Sequence, residues 1–209
     1  MMDDLNQDSD EVIRISILSL IDDKVTRLIK GLAEKNPNKC SFQQISSIAV
    51  NKVIYPIKIK ENVIKLIIFQ PLSESFTNKL LRRFYSTSSA IFLFDKEDQQ
   101  SFVAAKVFYH HFQELNKKRN PPVIFIELTN EDIEVILSEP ETLESHPKVS
   151  YYTINEKNVN KFESIIKILT FQYLDTKERT EETILAKLIH YTNEDGKMSE
   201  SKVYEADPY

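Results

Sequence analysis

Lys65–Phe102, KLIIFQPLSESFTNKLLRRFYSTSSAIFLFDKEDQQSF, is the stretch whose reading decides the fold. Leu66–Phe69 is a short, wholly apolar run of strand length, and Gln70–Ser75 breaks it with polar residues and a proline. Phe76–Phe84 then spaces its apolar residues as a helix does. Ala90–Phe94 is a second buried strand, followed by a capped helix start across Asp95–Phe102. Strand, helix and strand joined by short connections make one right-handed βαβ unit. That unit implies a parallel sheet covered by helices.

Working outward toward the N-terminus, Val63–Phe69 and Ile48–Lys60 are two strand-like runs separated only at Lys60-Glu61-Asn62. So short a break predicts a hairpin, and hence one antiparallel edge on the sheet. Pro56 suits an edge strand, because it has no N–H to give to a neighbour. Asn36–Gln44 is polar, contains Pro37 and reads as a loop. Before it, Asp22-Asp23 are placed to cap a helix running to about Glu34, with Val25, Leu28, Ile29 and Leu32 on one face. Val12–Leu20 alternates and then becomes continuously apolar, as the first strand of a covered sheet would.

Toward the C-terminus, the helix begun at Asp95 continues to about Lys118, with Val103, Val107, Phe108, Phe112 and Leu115 as core candidates, and Pro121-Pro122 stop it. Val123–Leu128 is a strand, Glu131–Leu137 a short helix, Lys148–Thr153 the last strand, and Val159–Leu174 an amphipathic closing helix. Glu178–Tyr191 can extend as another helix, and Thr192–Tyr209 reads as a flexible acidic tail. The expectation is an α/β three-layer fold: a six-stranded, mostly parallel sheet with one antiparallel edge hairpin, and five main helices. Residues 1–10 form a polar tail, 11–175 the domain, and 176–209 the C-terminal helix and tail.

Composition narrows the function. A 209-residue chain that is 41% hydrophobic, with 12 Phe and 9 Tyr, can bury a real core. A net charge of −5 argues against a nucleic-acid binder. The single Cys40 cannot pair within the chain and fits a reducing compartment. No apolar run approaches the ~18 residues of a membrane span, and the acidic start MMDDLNQDSDE is not a signal peptide. The two glycines, Gly31 and Gly196, both lie away from any place where a phosphate-cradling loop belongs. Such loops need glycine, because the backbone must enter left-handed regions and approach the ligand without a Cβ.

The arrangement and several scaffold residues resemble the Ras-superfamily small GTPases, closest to the Rab type, over roughly Val12 to Leu174. In that family the deciding stretch runs W-D-x-A-G-Q-E, a helix ending Tyr-Tyr, a buried strand ending in Asp, then S-F. Phe69 takes the Trp place, Phe84-Tyr85 the Tyr pair, Asp95 the strand-end Asp, and Ser101-Phe102 the S-F. The spacing from Ser47 to Gln70 equals the family's spacing from its switch-one Thr to its magnesium-site Asp. The resemblance implies a small G-domain fold.

The residues that would do the chemistry depart from the pattern. Aligned on G-x-x-x-x-G-K-[ST], the segment Ser19-Leu20-Ile21-Asp22-Asp23-Lys24-Val25-Thr26 puts Ser19 and Lys24 at the two glycines and Val25 at the phosphate-binding Lys. Only the hydroxyl of Thr26 is kept, and Asp22 and Asp23 lie where phosphates would sit. Like charges ~4 Å apart repel by roughly 4 kcal/mol at an intermediate dielectric, nearly three decades of affinity at ~1.4 kcal/mol per decade. Gln70 replaces the magnesium-holding Asp, Ser73 the Gly that meets the γ-phosphate, and Glu74 the water-positioning Gln. Neither Leu128–Glu131 nor Thr129–Asp132 supplies N-K-x-D, and of the S-A-K only Lys157 survives in Asn155-Glu156-Lys157. The expectation is a site no longer used: no GTP hydrolysis, no cofactor, no metal.

Other chemistry is weaker still. His110-His111 are adjacent on a helix and diverge, and His146 and His190 lie in unrelated segments, so a zinc site is not expected. The leading reading is a catalytically inactive Rab-like pseudo-GTPase that binds protein partners, as a scaffold or a subunit of a trafficking, motor or ciliary assembly. Its expected place is the cytoplasm, including cytoskeletal or ciliary sites. By resemblance the contact surface is the edge hairpin and the helix after the second hairpin strand: Lys52, Phe69, Phe76, Leu80, Arg83 and Phe84. Core packing is the competing reading for Phe69, Leu80 and Phe84. The ending EADPY, with Cys40 far upstream, offers no prenyl anchor. Two alternatives stay open: a divergent GTPase that holds guanine nucleotide in an unorthodox pocket, and a receiver-like signalling domain. The receiver would need an Asp where Gln70 ends its strand.

Overall fold

The computed structural model describes residues 11–59, 62–73, 78–131 and 149–195. Seven strands form one mixed sheet in the order β2-β3-β4-β1-β5-β6-β7: β1 Glu11–Leu18, β2 Ser41–Ile45, β3 Val50–Ile59, β4 Asn62–Pro71, β5 Ser89–Asp95, β6 Val123–Thr129 and β7 Val149–Asn155. The helices are α1 (Asp22–Lys35), α2 (Asn78–Tyr85), α3 (Gln99–Asn116) and α4 (Val159–Asp195). Strands β4, β1, β5, β6 and β7 pair in parallel, while β2–β3 and β3–β4 are antiparallel. The chain divides into two compact units between Tyr173 and Leu174. The sheet and α1–α3 belong to the first. In the second, α4 continues to Asp195, with Arg179 paired to Asp175 one turn earlier.

The deciding stretch folds as its pattern dictates. β5, SAIFLFD, is buried at every position, as a strand covered on both faces must be. Phe92 stacks on Phe125 of β6 with centroids 5.1 Å apart and meets Tyr109 and Phe112 of α3 edge-on. α2 and α3 share this face. On the other, α1 packs so closely on the start of α4 that a Cβ added at Gly31 would stand 2.6 Å from a Val159 methyl. Asp98 caps α3 by accepting from the N–H groups of Gln100 and Ser101. Ser101 in turn donates its hydroxyl to the Asp98 carbonyl and accepts from the N–H of Asp95, locking the strand-to-helix corner.

Four expectations are corrected. The sheet has seven strands, because β2 arises within a segment that reads as a loop. SFQQI leaves only Phe42 and Ile45 half-buried, three apart, so it carries no period-two signal; pairing with β3 makes it a strand. β2 is therefore the edge beside β3, yet its ladder stops at Ile54, short of Pro56. Val103, Val107 and Leu115 are about half exposed, and Ala105, Phe108, Tyr109 and Phe112 form the buried face of α3. The expected separate helix Glu178–Tyr191 is part of a continuous α4. Ile21, not an Asp, occupies the N-cap of α1; Asp22 and Asp23 sit inside its first turn, where the helix dipole favours negative charge. The expected helix at Glu131–Leu137 lies beyond the described residues from Asp132 onward.

Glu163 joins three elements. It accepts from Tyr55 of β3 at 2.6 Å and pairs with Lys167 at 2.6 Å and with Lys35 of α1. Burial alone would raise its pKa, but the bonds from Lys167, Lys35 and Tyr55 outweigh that and hold it at about 2. A carboxyl so depressed stabilises the fold above its unfolded pKa and loses that contribution as pH falls. Denaturant melts should therefore show stability dropping between about pH 4.5 and pH 2, with a shallower drop in Glu163→Gln. Equal slopes in the two proteins would contradict this.

Candidate functional site

In an open α/β sheet, ligands bind at the carboxyl ends of the parallel strands where the strand order reverses direction. Here that place is above β1, from which the chain first turns toward β3 and later crosses to β5. Five segments meet there: the β1–α1 turn, the end of β4, the end of β5, β3 near Asn51, and the β7–α4 turn.

The turn is shaped by Ser19, which is buried, donates to the Leu93 carbonyl at 2.8 Å and accepts from the N–H of Ile21 at 3.1 Å. This brings the first turn of α1 over the strand ends. Lys24 points its ammonium between two carboxylates, 2.5 Å from Asp95 at the end of β5 and 2.7 Å from Glu156 just past β7. Arg27 adds a longer contact to Glu156 at 3.4 Å. Burial works against the Lys24 charge, but the bonds and charges of Asp95 and Glu156 prevail and raise its pKa above the ordinary value. Burial likewise opposes the Asp95 charge, and Lys24 with the N–H of Glu97 overcomes it, holding Asp95 below the usual carboxylate range.

A second set is neutral. Thr26 donates its hydroxyl to Gln70 Oε1 at 3.1 Å, and Asn51 Nδ2 reaches both Thr26 Oγ1 and Gln70 Oε1 at 3.0 Å. Gln70 Nε2 then donates to the Asp22 carbonyl at 3.0 Å. Gln70 and Asn51 are each 1% exposed; Gln70 is paired through both amide atoms, whereas Asn51 is paired through Nδ2 alone and its Oδ1 has no hydrogen-bond partner among the described residues. The third contact is an anion held by a backbone amide: Asp22 Oδ2 accepts from the N–H of Ser73 at 2.8 Å and from its hydroxyl at 2.7 Å.

The structure thus brings together Ser19, Lys24, Thr26, Gln70 and Ser73 from five of the eight positions singled out in the sequence. Val25 is buried on the core face of α1. Ser47 sits exposed on a single 3-10 turn, Ser46–Ile48, at the β2–β3 connection. Glu74 lies outside the described residues. Asn51 and Glu156 complete the site and carry no recognisable motif. The one signal for Asn51 was an amide in an otherwise apolar and basic strand. Two carboxylates, Asp95 and Glu156, meet the cations Lys24 and Arg27 there, while Asp22 is turned to Ser73 and Asp23 is exposed. Among the described residues no three His, Cys, Asp or Glu side chains converge to hold a metal ion.

Among the surface candidates, Lys52 pairs directly across from Phe69, and Phe69 packs on Phe84 with centroids 5.9 Å apart. Phe84 is 7% exposed and belongs to the core, Phe69 and Lys52 are half-buried, and Arg83 is exposed. Phe76, and the side chain of Leu80, lie outside what is described. No helix among the described residues is long and apolar enough to cross a membrane. Neither a protein-family model nor a curated protein sequence matches the chain.

Removing the cation from the Lys24 cluster leaves two carboxylates in a largely buried space. Lys24→Met should lower unfolding free energy by about 2–3 kcal/mol, since an orphaned buried charge costs more than the pair contributes. Adding Asp95→Asn and Glu156→Gln should recover most of that. A K24M variant as stable as the parent in urea titrations would show that the pair is not what orders these strand ends.

Proposed function

We propose that the chain is a catalytically inactive, Rab-like pseudo-GTPase: a G-domain scaffold that binds protein partners instead of turning over nucleotide. What supports this most is the use made of each group that the resemblance would turn toward a nucleotide. Thr26 and Gln70, at the two magnesium-side positions, bond to each other and to Asn51. Ser73, at the γ-phosphate position, gives its N–H to the Asp22 carboxylate. Lys24, the nearest cation, is held by two carboxylates of its own chain. A triphosphate would have to break all three sets and then sit among uncompensated acids, each exchange costing several kcal/mol.

A scaffold without its chemistry acts through its surface. The surface favoured here runs across β3, β4 and the end of α2, with Lys52, Phe69 and Arg83 contributing. Phe84 supports it from beneath. Subunit membership in a cytoplasmic trafficking, motor or ciliary assembly is the setting that fits such a domain.

The test has two arms. Mass spectrometry of small molecules released by heating the purified protein should find no guanine nucleotide, and magnesium–GTP should leave its melting temperature unchanged. A co-purified nucleotide would overturn the reading in favour of a divergent GTPase. Lys52→Glu with Arg83→Glu should keep the melting temperature and lose the partners that the parent captures from cells. Retention of every partner would place the binding surface elsewhere.

A further inference from the structure

A second surface lies away from the strand-end cluster. A cleft of about 290 Å³ opens where β2 ends, between the outer edge of β3, the α1–β2 turn and α4. β2 pairs with β3 from Ile45↔Val50 to Ser41↔Ile54 and goes no further, so among the described residues no strand covers Pro56–Ile59 on that side. Proline has no N–H, so the β3–β4 ladder is intact at Pro56↔Lys65 only if that position faces away from β4 for hydrogen bonding. Lys58, two residues on, then turns both its N–H and its C=O outward. An open strand edge of this kind is a template for an added strand.

The walls define what would be added. One is apolar: Phe171 of α4, which is 52% exposed, stands with Ile57 along the cleft. The rim is basic. Lys39 and Lys58 are exposed and have no carboxylate partner among the described residues, while the acid of the cleft, Glu163, is fully engaged by Tyr55, Lys35 and Lys167. This stands out in a chain of net charge −5. Cys40 also lines the cleft, but burial pushes its thiol up to about 11, which removes it as a nucleophile near neutrality.

We infer that this cleft docks an extended acidic segment of a partner protein, added antiparallel to Pro56–Ile59 in line with β2. Side chains of a strand alternate between faces. In the added strand one set would lie over Phe171 and Ile57 and the other would meet Lys58, so the fitting sequence alternates apolar with Glu or Asp. The inference does not depend on the nucleotide reading, because none of the cleft residues belongs to the Lys24 cluster.

The test uses the full chain and a fluorescein-labelled peptide of about eight residues, alternating Glu and Val. Anisotropy titration should give saturable binding that weakens at least tenfold in Lys39→Glu/Lys58→Glu and in Phe171→Asp, with melting temperatures unchanged. Amide exchange at Lys58 should slow on saturation. A peptide with Lys in place of Glu should bind at least tenfold more weakly. Equal binding of the two peptides, unaltered binding by the variants, or unprotected Lys58 would overturn the inference. So would concentration-dependent dimerisation abolished by the same variants, which would give the edge to a second copy of the chain.

Discussion

One ammonium group between two carboxylates orders the carboxyl ends of the sheet. Lys24 leaves the first turn of α1 and ties the end of β5 to the turn after β7, two places separated in the sheet by the whole of β6. With a fifth of its side chain exposed and its partners nearly buried, the cluster lies where Coulomb attraction is stronger than in water and desolvation is costly. Such a cluster is stable only when complete. Lys24 and the two carboxylates that hold it are engaged with one another. The hydrogen bonds around Gln70 and Asp22 repeat that closure with neutral groups and with a backbone amide.

The scaffold residues that carry the family resemblance have structural work independent of nucleotide. Ser101 closes the corner between β5 and α3, Asp95 receives Lys24, and Tyr85 and Phe84 close the aromatic core under α2. Buried residues of this kind persist for packing reasons. Loop residues that contacted a ligand have no such reason once the ligand is gone. On the proposed reading, a matching scaffold with altered loops is what a fold shows after losing its site. It is also what a binding domain needs, since rigidity at the strand ends then comes from the chain itself.

Much of the architecture was legible because hydrophobic period and length speak clearly in strands buried on both faces. β5 and β6 are such strands and β1 becomes one from Ile15 on, β4 alternates with period two, and the short break at 60–62 announced the β3–β4 hairpin. β2 was not legible, since an exposed edge strand with two half-buried residues owes its form to its neighbour. α3 misled for a related reason: Val103, Val107 and Leu115 are apolar yet stand outside the stripe of Ala105, Phe108 and Phe112. At the strand ends the sequence could be read only against the family it resembles, by the absence of glycines, of a Lys at position 25 and of an Asp at position 70. It could not show what replaced them. The Lys24–Glu156 contact spans most of the domain in sequence, and nothing local in either residue predicts it.

The most direct measurement is side-chain NMR of the Lys24 ammonium, with Asp95 and Glu156 carboxyl resonances followed in the same sample. On this account the Lys24 signal is protected from exchange, Asp95 titrates below the ordinary carboxylate range, and millimolar magnesium–GTP moves none of the three. A saturable shift of the Lys24 resonance with added nucleotide, together with release of Asp95 toward an ordinary titration, would contradict it.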